Sequence, residues 1–143
     1  MPDLKLAKRT LKEKNLNLSI VKNGKILFET RSPGVIGLLQ AIEELGKELI
    51  GSSVADRIVG RAAALLCTYS GVASVFSITM SEEGRKVLED NQILFQFENR
   101  VPNILNYGRT DLCPFEKLTA GLTNSSEAYE KIKNFVDSVA RNS

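Results

Sequence analysis

A chain of 143 residues, 43% hydrophobic and 25% charged, has the size and composition of one soluble globular domain. Its 19 basic and 17 acidic residues nearly cancel, which argues against bulk attraction to nucleic acid, and the absence of tryptophan weakens any base-stacking platform. With no histidine and only two cysteines, Cys67 and Cys113, the chain excludes zinc sites of the usual His/Cys spacing, Ser-His-Asp and Cys-His nucleophile systems, and imidazole acid–base chemistry.

A domain of this length buries roughly 70% of its unfolded surface, so neither a disulfide nor a metal is needed to hold it together. The opening residues Met1-Pro2-Asp3-Leu4-Lys5 are polar, and no apolar stretch suits a signal peptide or a membrane span. Two isolated cysteines without an export signal lead to the expectation of a reducing cytoplasm.

Along the chain, Leu4, Ala7 and Leu11 repeat at helical spacing and predict an amphipathic helix over 3–14, with Asp3 as its N-cap. Leu16, Leu18 and Ile20 then alternate with polar residues, and Ile26-Leu27-Phe28 follows Asn23-Gly24. Asn-Gly between two such runs marks a type I′ hairpin, because both turn positions need positive φ. Ser32-Pro33-Gly34 breaks the chain before a helix over 35–49. Ile50-Gly51-Ser52-Ser53 breaks it again. The spacing predicts a further helix over 54–69, apolar around most of its circumference, capped by Ser52 or Ser53. Asp56, Arg57 and Arg61 lie on its polar arc.

Residues 71–79 read as a buried strand. A short helix opens at Ser81-Glu82-Glu83, with acids placed to favour its N-terminus. Ile93 to Phe97 is another strand. The segment 99–124 resists assignment beyond a polar loop at Asn106-Tyr107-Gly108-Arg109 and a helix start at Cys113-Pro114. A last helix spans 125–140, with Ala128, Ile132, Phe135, Val136 and Val139 inward. The order predicts one α/β domain over 1–143, a three-layer α/β/α arrangement around a mixed sheet.

Three segments carry a family resemblance: Ser32-Pro33-Gly34-Val35, the block from Val54 to Ala64, and Asp111-Leu112-Cys113-Pro114-Phe115-Glu116. Through them the chain resembles, over nearly its whole length, a prokaryotic family of unknown function. That family is assigned to the cytidine-deaminase-like fold but lacks the deaminase site. The resemblance implies the fold, and the departures from the zinc enzymes remove their reaction. Zinc deaminases open one helix with His-x-Glu and the next with Pro-Cys-x-x-Cys. Here the helix predicted from Ser53 carries Asp56 instead. The stretch Met80-Ser81-Glu82-Glu83-Gly84 has no cysteine, and Cys113-Pro114 has the reverse order with no second cysteine. Neither a metal nor another cofactor is expected.

Three sets of residues remain as candidates. Asp56, Arg57 and Arg61 on one helical arc would bind a phosphorylated ligand, since guanidinium forks fit phosphate oxygens and Asp56 suits a ribose hydroxyl, a base or a nucleophile. Helix stabilisation and ion pairing are the plain structural alternative. Ser32, Gly34, Ser52 and Ser53, small residues ahead of helices, would expose backbone N–H groups to an anion, capping being the favoured alternative. Cys113 at a helix start, with Glu116 beyond and Asn106 and Arg109 before it, would be a nucleophile if its thiol pKa were lowered. A structural thiol is favoured over this. The leading expectation is a zinc-free protein that binds a nucleotide-like small molecule, with Asp56 or Cys113 as the reactive group of any enzyme. The alternative is a non-catalytic regulatory or homo-oligomeric interaction module.

Overall fold

The computed structural model describes residues 2–141. Helix α1 (Pro2–Glu13) leads into a hairpin of β1 (Leu18–Lys22) and β2 (Lys25–Thr30). Helix α2 (Gly34–Leu45) continues into a 3-10 turn over Gly46–Leu49. Then β3 (Ser53–Val59), α3 (Arg61–Ser70), β4 (Ser74–Ser81), α4 (Glu82–Asp90) and β5 (Leu94–Val101) alternate, and α5 (Pro114–Thr119) and α6 (Ser125–Arg141) close the chain. The five strands form one sheet in the order β2-β1-β3-β4-β5. β1 runs antiparallel to both β2 and β3, whereas β3, β4 and β5 are parallel. This is the mixed three-layer α/β/α arrangement the element order implies.

The hairpin forms as its dipeptide dictates: Asn23 and Gly24 take φ of 52° and 77°. The Asp3 carboxylate does not cap α1 from outside. It accepts the N–H groups of Asn23 and Gly24, both at 2.9 Å, and so pins the start of α1 to the hairpin tip. Strand alternation sorts the core. Leu18, Ile20, Val54 and Val75 face α2, α3, α4 and α6, while Val21, Ala55 and Phe76 face Leu4, Ala7 and Leu11 of α1.

The predicted helix over 54–69 is two elements. Residues 53–59 are a strand between β1 and β4, and the helix begins only at Arg61. A central strand covered on both faces is apolar on both, so its run reads as continuously as a buried helix does. The local chemistry marks the division: Val54, Ile58 and Val59 are β-branched, Gly60 breaks the chain, and Ala62-Ala63-Ala64-Leu65-Leu66 are strong helix formers. Among the described residues no helix is long and apolar enough to cross a membrane.

A crevice at the carboxyl ends of the parallel strands

Moving residues 53–59 into the sheet breaks up the first candidate set. Successive strand residues point to opposite faces, so Asp56 and Arg57 do not share an arc. Asp56 is buried on the helix side, close enough to Cys67 of α3 for its charge to raise that thiol's pKa, with Ile58 N–H 3.4 Å from Asp56 Oδ1. Burial pushes the Asp56 carboxyl up to about 8, against the lowering effect of the neighbouring N–H groups and the Arg57 charge. Cys67, also fully buried, is raised by burial first and by Asp56 second. Arg57 turns the other way and donates to Leu16 O at 2.8 and 3.2 Å and to Asn15 Oδ1 at 3.2 Å, clamping the α1–β1 loop.

Ser52 and Ser53 cap no helix. Ser53 Oγ lies 2.7 Å from Ser74 Oγ between β3 and β4, and Ser52 Oγ is buried without a hydrogen-bond partner among the described residues. They sit at the amino end of β3, about 20 Å by strand rise from its other end.

Arg61 stands at the first turn of α3 and fastens the segment that follows β5. Its guanidinium donates to Thr119 O at 3.0 Å and to Leu122 O, and pairs with Glu83 at 2.8 Å. In return Glu116 reaches back from α5. Glu116 Oε1 accepts Arg61 N–H at 2.7 Å and Oε2 accepts Ala62 N–H at 2.9 Å. One carboxylate thus satisfies two of the orphan donors of α3 and sits at the positive end of its dipole. Burial raises the Glu116 pKa, and the two N–H bonds and Arg61 oppose that rise. Gly60 makes the contact possible, since a Cβ there would lie 2.1 Å from Glu116 Oε1 and 2.8 Å from a carbon of Ile104. Gly84 lets α4 approach equally closely: its Cβ would lie 2.9 Å from Val59 O.

The strap held in this way, residues 102–124, roofs a crevice at the carboxyl ends of β3, β4 and β5. The apolar lobe, about 460 Å³, lies between the first turns of α2 and α3. Gly34, Val35 and Ile36 line it on one side and Gly60 and Ala63 on the other, with Ile58, Ile104, Leu105 and Phe115 around them. Asn106, Tyr107, Cys113 and Glu116 complete its wall. The N-terminus of α2 has no side-chain cap. A second lobe, about 610 Å³, shares Ile58, Ile104, Leu105, Asn106 and Tyr107 and adds Thr79, Asn103 and Arg109.

Of the sequence candidates, Gly34, Asn106, Arg109, Cys113 and Glu116 therefore meet at one crevice. Ser32 stands two residues before the α2 wall, its N–H bonded to Thr30 Oγ1 at 3.0 Å. Asp56, Arg57, Ser52 and Ser53 do not line the crevice, and Arg61 is committed to the strap. Sequence reasoning missed the apolar rim of Ile58, Leu105 and Phe115, and named Tyr107 only as part of a polar loop. The signal for Ile58 and Gly60 was the strand end at 59–60, which the helical reading concealed.

The first turns of α2 and α3 frame the apolar lobe. Neither holds a metal-ligating side chain, and among the described residues no group of three His, Cys, Asp or Glu could hold an ion. The class is thus a three-layer α/β/α protein with a crevice at the carboxyl ends of its parallel strands.

The sequence profile of TM1506, a domain of unknown function (DUF1893), matches residues 6–136, and the chain belongs to this family. The crystal structure of a DUF1893 family protein, TM1506 from Thermotoga maritima, superposes with a TM-score of 0.85 at 23% identity, covering 93% of this chain and 89% of that one. Acinetobacter baumannii RibD is a more distant match, with a TM-score of 0.47 and 19% identity over 68% of this chain and 33% of that chain. No curated protein matches the sequence.

Proposed function

We propose that the protein binds a nucleotide or nucleotide derivative, without a metal, in the crevice between the first turns of α2 and α3. One observation carries this reading: a largely apolar lobe of about 460 Å³ beside the uncapped start of α2, joined to a more polar lobe that holds Arg109. Ligand sites in open α/β sheets lie outside the carboxyl ends of the strands, and a mostly apolar cavity of several hundred Å³ with a few convergent polar groups is their usual form. Apolar walls suit a planar base, and the free N–H groups of a helix start suit acceptor atoms. Cys113 is the reactive candidate, because its thiol shares the lobe wall, whereas buried Asp56 serves the core. Two free cysteines, Cys67 and Cys113, accord with a cytoplasmic protein.

The test is a pair of mass measurements on the freshly purified protein, native and denaturing, followed by titration with adenosine, AMP and ADP. Native-only extra mass that releases a nucleotide, or saturable binding of one of the three, supports the reading. No retained mass and no binding overturns it. The second reading, an interaction module, is favoured by the exposure of Ile58, Leu105 and Tyr107 around the same crevice. In that case the native spectrum is dominated by a dimer or larger species, and Leu105→Glu dissociates it.

A further inference from the structure

Two residues on the loop that edges the crevice are left without an intramolecular task. The loop itself is firmly built. Leu105 and Leu112 form a β-bridge, Asn106 N–H donates to Asp111 O at 2.9 Å, and Thr110 N–H donates to Asn106 Oδ1 at 3.0 Å. On this ordered frame Tyr107 is fully exposed, at 106% of its reference area, with no ring contact or hydroxyl partner among the described residues. Tyr107 is also among the residues that line both lobes, with Ile58 and Leu105, which are 45% and 46% exposed. A large aromatic left exposed on a hydrogen-bonded loop beside an apolar hollow is available to cover something that is not protein.

Arg109 is the second such residue. The other guanidiniums near the carboxyl ends of the strands are all engaged. Arg57 donates to Leu16 O, Arg61 to Thr119 O and Leu122 O, and Arg100 pairs with Glu82 at 2.8 Å. Arg109 borders the larger lobe and has no ion pair or side-chain hydrogen bond among the described residues. An arginine fork left open beside a cavity matches a phosphate or a sulfonate.

We infer that this loop reads the two halves of the ligand: Tyr107 stacks on a planar ring in the apolar lobe, and Arg109 takes its anionic group in the larger lobe. The inference rests on the crevice reading above and adds an orientation, ring toward α2 and anion toward the loop. The ligand class it selects is a planar ring that also carries a phosphate or a sulfonate. Free phosphate and an unphosphorylated base each engage only one of the two residues.

The experiment titrates wild type, Tyr107→Ala, Tyr107→Phe and Arg109→Asn with adenosine, AMP and 1-anilinonaphthalene-8-sulfonate. The last offers a planar ring and an anion without being a nucleotide. Asparagine is chosen because position 109 has φ of 57°, which it tolerates. Tyr107→Ala should weaken all three probes by about tenfold, the lower end of what loss of one stacked ring does, and Tyr107→Phe should leave them unchanged. Arg109→Asn should weaken AMP and the sulfonate by about tenfold and leave adenosine as it was. The inference is overturned if Tyr107→Ala changes no probe that wild type binds, or if Arg109→Asn weakens adenosine as much as AMP. In either case unaltered wild-type binding keeps the crevice reading. Wild type that binds the sulfonate but neither adenosine nor AMP removes the nucleotide reading, and the sulfonate then decides the role of Tyr107. Wild type that binds none of the three ends both.

Discussion

Asp56→Asn turns the burial of one carboxyl into a measurable dependence of stability on pH. In the fold the Asp56 pKa stands at about 8, against 3.8 for an unperturbed aspartate. Between those values the folded chain holds a proton that the unfolded chain has released, so folding weakens as pH rises. This contribution is fully favourable below about pH 4 and lost on passing about pH 8. The slope is about 1.4 kcal/mol per pH unit, and the whole interval amounts to on the order of 5 kcal/mol, a large part of a domain's usual stability. Asparagine has nearly the same shape, keeps an acceptor for Ile58 N–H and does not titrate. The variant should match wild type near pH 4 and exceed it progressively above. Urea unfolding of both proteins at pH 5, 6 and 7 is the assay, and subtracting one curve from the other removes every group they share, Glu116 included. The gap should widen by roughly 3 kcal/mol from pH 5 to pH 7. Parallel stability curves would refute the placing of a protonated acid in the core.

Three further outcomes follow from the strap and from the donor set. Glu116→Ala leaves the N–H groups of Arg61 and Ala62 without their acceptor and should lower stability by about 1–2 kcal/mol, with faster amide exchange confined to residues 102–124 and the start of α3. Unchanged exchange there would mean that the carboxylate does not hold the strap. Gly60→Ala sets a methyl group 2.1 Å from Glu116 Oε1 and should destabilise by about 1–3 kcal/mol, read as a lower urea midpoint, while the double variant Gly60→Ala with Glu116→Ala should lose less than the sum of the two. Additive losses would separate the two residues. Chelation with EDTA should leave the melting temperature of the purified protein unchanged, because no described group of three His, Cys, Asp or Glu can hold an ion. A fall of several degrees would contradict that.

How far the sequence led depended on whether a signal was local. The hairpin was legible because two residues with positive φ are needed at its tip and Asn23-Gly24 supplies them. Helix α4 was legible because Ser81 and the acids after it act within one turn, and Ser81 Oγ does accept Gly84 N–H at 3.0 Å. Strand β3 was not, because both of its faces are covered and periodicity cannot separate such a strand from a buried helix. That single misreading moved Asp56, Arg57, Ser52 and Ser53 into a site they do not form. The strap was illegible for another reason. Its fastenings are contacts between residues more than fifty positions apart, Glu116 with Arg61 and Ala62 and Arg61 with Thr119 and Leu122, and no local pattern announces them. The family resemblance carried the fold further than periodicity did. It rests in part on Ser32 to Val35 and Asp111 to Glu116, segments far apart in the chain from which Gly34, Val35, Cys113, Phe115 and Glu116 meet at the apolar lobe.

The most direct test of the crevice as a binding site is a titration of isotope-labelled protein with AMP, followed by amide NMR. The account predicts that shifts concentrate on Gly34, Val35 and Ile36, on Gly60, and on Asn106 to Arg109, with Ser52, Ser53 and the α1 face unmoved. Shifts that gather at the opposite end of the sheet, or no shifts at millimolar AMP, would contradict it.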